Sequence, residues 1–98
     1  MRIWAMAKLM HEVWVRSDEN GQDLHACILG GSLGSQARAM LIAEGARLVW
    51  TFEAGSHLEA MKIYHRRAHG DDYGVDDRDW ISEPYPNEWF EQQQADRR

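Results

Sequence analysis

The stretch that decides the fold is Arg47-Leu-Val-Trp-Thr-Phe-Glu-Ala-Gly-Ser-His-Leu-Glu-Ala-Met-Lys-Ile-Tyr-His65. Its first part places Leu48, Trp50 and Phe52 at every second position, the period of a strand with one buried face. Residues 56–69 then carry apolar groups at spacings of three and four, the period of an amphipathic helix. We therefore predict a strand, with Trp50 and Phe52 in the core, followed directly by a helix.

Both ends of this helix carry sequence signals. Ser56 and Glu59 form a capping box, in which the serine oxygen accepts from a free helix amide and the glutamate reaches back to the amide of Ser56. Gly70 is a suitable residue to end the helix after His69, because glycine adopts the left-handed conformation cheaply. These signals predict a helix from Ser56 to about His69.

The residues upstream predict a β-hairpin. Residues 12–16 and 23–29 read as two strands, and Asn20-Gly21 lies in the polar turn between them. The glycine-rich residues 30–35 follow, and Ser32 or Ser35 is expected to cap a helix that runs to about Ala43.

A strand, a helix and the Arg47 strand in this order indicate a βαβ unit, with parallel pairing and a right-handed crossover. The predicted fold class is therefore α+β, in the order ββαβα, with the helices on one face of a small sheet. The chain of 98 residues suits one domain, residues 1–98. Residues 1–10 are interpreted as an N-terminal extension and residues 71–98 as an acidic, aromatic, extended C-terminal segment, in which Asn87 caps a short last helix.

Composition excludes several classes of protein. The single cysteine, Cys27, excludes an intrachain disulfide and a cysteine-based zinc site, which favours a reducing, cytoplasmic setting. No apolar run approaches the ~20 residues of a membrane span, and the N-terminus lacks the pattern of a signal peptide. The net charge of −5 argues against direct binding of nucleic acid.

Charge and aromatic residues concentrate at the C-terminus. Residues 70–98 hold nine Asp/Glu against three Arg, together with half of the aromatic residues. Aromatic anchors among carboxylates are typical of a partner-binding segment, although the same rings are also suited to covering one face of the sheet. The predicted partner-binding residues are Tyr73, Trp80, Tyr85, Trp89, Phe90, Asp76, Asp77 and Asp79.

Three weaker candidates for chemistry each have a structural interpretation that we favour. The glycine-rich residues 30–35 lie where backbone amides bind anions, but they lack the spacing and the lysine of a phosphate-binding loop. His65 and His69 have the spacing of a metal pair but no third ligand. Glu53 and His57 resemble an acid–base pair but have no nucleophile beside them.

The chain resembles a group of small uncharacterised bacterial proteins. The resemblance rests on Trp50-Thr-Phe-Glu-Ala-Gly-Ser-His-Leu-Glu-Ala-Met, which has the pattern W-x-F-E-A-x-S-x-x-E-A-M, with Gly-Gly-Ser upstream and Pro84-Tyr85-Pro86 downstream. It covers about residues 24–89 and implies a shared fold. It implies no activity, cofactor or site.

The sequence thus predicts a small non-enzymatic interaction or regulatory module, with no cofactor and no metal, that binds another protein through its C-terminal surface. One alternative is a phage- or defence-related inhibitor whose aspartates imitate nucleic-acid charge, with Asp71 and Asp72 joining the three already named. Another is a small metal- or ligand-dependent enzyme that uses His57, Glu53, His65 and His69. The edge strand of the hairpin also predicts a homodimer by strand pairing.

Overall fold

A computed structural model describes residues 8–70 and 84–96 of the chain, and these form a small α+β fold. The order ββαβα is confirmed, and a further helix follows. The elements are β1 (Leu9–Ser17), β2 (Asp23–Leu29), a short 3-10 helix (Gly31–Gly34), α1 (Ser35–Ala43), β3 (Arg47–Ala54), α2 (His57–His69) and α3 (Asn87–Asp96). Leu9 and Met10, which the sequence assigned to an extension, are part of β1.

The sheet has the order β2-β1-β3, and both outer strands run antiparallel to β1. The predicted parallel pairing of β2 with β3 is therefore wrong, because β1 lies between them. The reason is burial. Leu9, Val13, Trp14 and Val15 are all buried, so β1 is covered on both faces and takes the centre of the sheet.

The helices cover both faces of this sheet. Arg38 of α1 forms an ion pair with Glu12 of β1, whereas Arg67 of α2 lies 4.5 Å from the ring centre of Trp50. Trp50 pairs with Val13, the neighbour of Glu12 on β1. Because successive side chains of a strand point to opposite faces, α1 and α2 lie on opposite sides, and the prediction of helices on one face is wrong.

A β-bulge in β3 breaks the predicted alternation. Val13 pairs with Trp50 but the next residue, Trp14, pairs with Leu48, so Val49 is an extra residue. A bulge moves the residues beyond it out of register with the face that they would otherwise share. Leu48 is consequently 47% exposed and lies on the opposite face from Trp50 and Phe52, which are themselves half-buried and not fully in the core as predicted.

The caps of α2 are largely as predicted. The Ser56 hydroxyl accepts a hydrogen bond from the Glu59 amide at 3.1 Å, and Gly70 ends the helix in the left-handed conformation with φ of 78°. The Glu59 carboxylate, however, accepts from the N–H of Gly55 and not from that of Ser56. Helix α2 therefore begins directly at the end of β3, which fixes its first turn beside β1.

Candidate functional site: a groove beside the C-terminal segment

A groove of about 460 Å³ lies between β2, α2 and residues 84–89. It brings together residues that are distant in sequence, and most of its surface is apolar. A volume of this size is in the range of sites that hold a small molecule or a few side chains of a partner. The lining residues are His11, Cys27, Ile28, Leu29, His57, Met61, Pro84, Tyr85, Pro86 and Trp89.

His11 lines the groove, and both its ring face and its two ring nitrogens have partners. Its side chain is buried, and its ring stacks on that of Phe52 with centroids 5.0 Å apart. Its Nδ1 lies 2.9 Å from the carbonyl oxygen of Leu9, which can only accept a hydrogen bond, so Nδ1 carries the proton. Nε2 is then an acceptor, and the Tyr85 hydroxyl donates to it at 3.0 Å.

Burial keeps these groups neutral. Removal from water is the largest influence on His11 and lowers its pKa, more than the hydrogen bond to Leu9 raises it. Burial also raises the pKa of Tyr85 to about 12 and that of the Cys27 thiol to about 11. Burial thus favours the uncharged forms of the His11 imidazole, the Tyr85 phenol and the Cys27 thiol.

The exposed wall of the groove is Trp89, which is 37% exposed and stacks against Tyr85 with ring centroids 5.7 Å apart. Tyr85 is fixed in turn, because its backbone N–H donates to the carbonyl of Gly55 at 3.0 Å. An isolated antiparallel β-bridge also joins Pro84 to Ser56, the residue that caps α2. The exposed ring of Trp89 is thus positioned by backbone contacts and by the bond from Tyr85 to His11.

The groove accounts for two of the predicted partner-binding residues, Tyr85 and Trp89. Phe90, a third, is half-buried and does not line the groove. The others lie outside the described residues, and so do the aspartates of the charge-imitation alternative. The predicted residues in that part of the chain are Tyr73, Trp80, Asp71, Asp72, Asp76, Asp77 and Asp79.

The residues of the enzyme alternative are not gathered in this groove. Only His57 lines it; Glu53 is exposed on β3, and His65 is half-buried on α2. The side chain of His69 is outside the described part of the chain. Within residues 8–70 and 84–96, no cluster of three or more His, Cys, Asp or Glu side chains has the geometry to hold a metal ion.

The anion bound by the glycine-rich residues 30–35 is a side chain of the protein itself, the carboxylate of Asp96. The Asp96 carboxylate accepts hydrogen bonds from the amide and the hydroxyl of Ser32 at 2.7 and 2.9 Å. These bonds lower the pKa of Asp96. Neither serine caps α1, because the N-cap is Gly34, without a side-chain bond. The serine-cap prediction is therefore wrong, and Ser32 joins α3 to the loop.

Sequence reasoning missed His11 as a site residue. The signal was present, because His11 shares the buried alternation of Val13 and Val15 on β1. Its hydroxyl partner, however, is 74 residues away in the chain, and no local pattern links the two.

Comparison with known proteins gave no match among protein-family models, curated proteins or solved structures. The resemblance to small bacterial proteins therefore stays a prediction. In the part of the chain that the structure describes, no helix has the length and apolarity needed to cross a membrane.

Proposed function

We propose that this protein is a small non-enzymatic interaction module that binds a partner protein in the groove. The observation that carries the proposal is the placement of Trp89, an exposed aromatic ring held against Tyr85 at the wall of an apolar groove. Tryptophan and tyrosine dominate the energy of protein interfaces, most of all where their position is fixed before binding. A partner would insert an apolar side chain between Trp89 and the β2 residues.

The chemistry of the groove favours binding over catalysis. The Cys27 thiol has a pKa of about 11, and only the thiolate is a strong nucleophile. Both ring nitrogens of His11 are engaged, one with Leu9 and the other with Tyr85. A histidine held in this way is suited to supporting the groove and is poorly placed to exchange protons with a substrate.

The experiment compares Trp89→Ala with Ile42→Ala, because Ile42 is also an exposed apolar residue but lies on α1. Partners recovered with the parent protein are purified and their affinity for each variant is measured by calorimetry. We expect Trp89→Ala to weaken binding by about 30-fold, as for a residue worth about 2 kcal/mol at an interface. Ile42→Ala should keep the affinity within about twofold.

Circular dichroism and thermal unfolding must first show that both variants fold as the parent does. The proposal is wrong if a folded Trp89→Ala protein keeps every partner at parental affinity. It is also wrong if the groove binds a co-purifying small molecule, seen as a change in Trp89 fluorescence, and no protein partner is found.

A further inference from the structure

We infer that the outer edge of β2 pairs with the same edge of a second copy of the chain, antiparallel and with the two-fold axis at Ala26. This would join two three-stranded sheets into one of six strands. It goes beyond the proposed function, because it concerns the outer backbone edge of β2, which borders the groove at Cys27, Ile28 and Leu29, and because it needs no other protein.

The directions of the β2 backbone groups follow from the register. The Gly30 N–H donates to the Met10 carbonyl at 2.9 Å, and the Asp18 N–H to the Gln22 carbonyl at 2.8 Å. Even-numbered residues of β1 therefore point their backbone groups toward β2, and pair with its even-numbered residues. By alternation, the odd-numbered residues of β2 direct their N–H and C=O groups outward. Among residues 8–70 and 84–96, no strand pairs with this edge.

This edge is complementary to itself. A two-fold axis at Ala26 places His25 opposite Cys27 of the second copy and Asp23 opposite Leu29. All four are outward-pointing residues, so every outward N–H of the strand meets an outward C=O over its full seven residues. The strand contains neither a bulge nor proline, two devices that protect edges from pairing.

The side chains on one face also match. Leu24 is 40% exposed, and in this register it lies opposite Ile28 of the second copy. Beside Ile28 is a second, apolar groove of about 230 Å³, between β2 and α1. Met40, which is 65% exposed, forms part of its wall. Pairing would place each Leu24 at the groove of the other copy and cover each Met40.

Charge does not oppose this contact. β2 contains one Asp or Glu and no Lys or Arg, and that residue is Asp23, the first residue of the strand. Arg38 of α1 is paired with Glu12 at 2.9 Å, and Glu44, which directly follows α1, with Arg16 at 3.3 Å. Two copies would therefore meet along a nearly neutral, apolar surface. The acidic C-terminal third of the sequence contributes no residue to β2 or α1.

The other edge of the sheet is less suited to pairing. Met10 and Glu12 point their backbone groups toward β2, so their β3 partners Glu53 and Thr51 point outward. The extra residue Val49 then shifts this alternation, and two copies of β3 cannot pair continuously. Of the two edges, β2 alone has an unbroken pattern.

The expected contact is small. A strand of seven residues is about 23 Å long, and one sheet layer with one helix layer is about 20 Å high. Such a contact removes roughly 900 Å² of surface in total, below the ~1,600 Å² of standard stable complexes. We therefore expect a concentration-dependent dimer with a dissociation constant on the order of 10 μM.

Sedimentation equilibrium on the purified full chain tests the dimer, with Leu24→Lys and Leu48→Lys as matched variants. Both leucines are exposed on an edge strand, so neither change should unfold the monomer. Leu24→Lys should weaken dimerisation at least tenfold, because it brings a charge to an apolar groove. Leu48→Lys should leave it unchanged. The inference is wrong if the parent protein is still monomeric at a concentration 100-fold above the expected dissociation constant. It is also wrong if Leu48→Lys weakens the dimer and Leu24→Lys does not.

Disulfide trapping tests the register. In a Cys27→Ser background, Ala26→Cys puts two thiols directly opposite each other, with Cα atoms about 4.5 Å apart and within disulfide range. Leu24→Cys in the same background puts them about 14 Å apart, too far to join. Mild oxidation should link the first variant alone. Linkage of the second alone, or equal linkage of both, contradicts the two-fold axis at Ala26.

Discussion

His11 shows how one buried polar residue determines the position of a distant surface residue. Its Nδ1–H is satisfied by Leu9 and its Nε2 by Tyr85, so burial leaves no ring nitrogen without a partner. Tyr85 in turn positions the ring of Trp89, which stacks against it. The geometry of the groove wall therefore depends on the neutral, singly protonated form of His11.

We expect stability to fall as the pH drops below about 6.5, the unfolded value of histidine, with part of the slope due to His11. Burial holds the folded pKa of His11 below that of the unfolded chain. Its stabilising contribution is thus complete above the unfolded value of about 6.5 and is lost as the pH falls through the folded value. Urea unfolding at a series of pH values measures this.

The His11→Phe variant keeps a ring against Phe52 but cannot bind a proton, so its slope in this range should be shallower. Ile42→Ala, an exposed position on α1 where no titratable group is lost, is the control and should keep the parental slope. Equal slopes for the parent and His11→Phe would show that another group is responsible.

At the scale of the element, α3 supplies a side chain, that of Gln93, which forms hydrogen bonds to the backbone at one end of the sheet. Just beyond the last pair of β1 with β2, Met10 lies beside Gly30, and the Gln93 amide binds the backbone of both residues. The Gln93 amide accepts from the Met10 N–H at 2.7 Å and donates to the Met10 carbonyl at 2.9 Å, as a paired strand residue would. It also donates to the Gly30 carbonyl at 3.2 Å. Gln93 is only 3% exposed, although it is polar.

Gln93→Ala should lower the free energy of unfolding by about 2–4 kcal/mol, because it leaves the Met10 N–H and the Gly30 carbonyl without a partner, while the Met10 carbonyl keeps its bond from the Gly30 N–H. Gln94→Ala, the same change at the half-buried neighbouring position of α3, should cost less than about 1 kcal/mol. Chemical denaturation measures both. Similar losses for the two variants would contradict the role of Gln93 as a substitute for a strand residue.

At the scale of the whole molecule, the fold is built around one strand. Among residues 8–70 and 84–96, seven apolar residues are buried, and four of them, Leu9, Val13, Trp14 and Val15, come from β1, whereas α1 contributes none. Residues 84–96 close one end of this core through Tyr85 and Gln93, and Asp96 fastens them to the glycine-rich loop. Residues 84–96 are therefore an integral part of the fold, whereas α1 contributes no buried side chain to it.

Removal of residues 84–98 should abolish cooperative unfolding, because it exposes His11 and the start of β1 together. Removal of residues 97–98 alone is the control and should leave the melting temperature within about 2 °C of the parent. Thermal unfolding followed by circular dichroism distinguishes the two. A sharp transition in the shorter chain would show that the core folds without the segment.

The sequence predicted those features that depend on neighbouring residues. The bounds of β2 and the Ser56 cap follow from patterns within a few positions, since alternation and capping are local physical effects. Tyr85 and Trp89 line one groove, and their assignment as partner-binding residues stays a prediction.

The features that failed depend on contacts between distant segments. Local pattern could not show that β1 lies between β2 and β3, that Val49 is an extra residue, or that Asp96 takes the Ser32 amide. Each of these features depends on burial or hydrogen bonding between residues that are far apart in the chain. The sequence by itself thus determined which segments form strands and helices. The tertiary structure decided their order in the sheet, the faces of the helices and the groove, because these depend on which buried groups find partners.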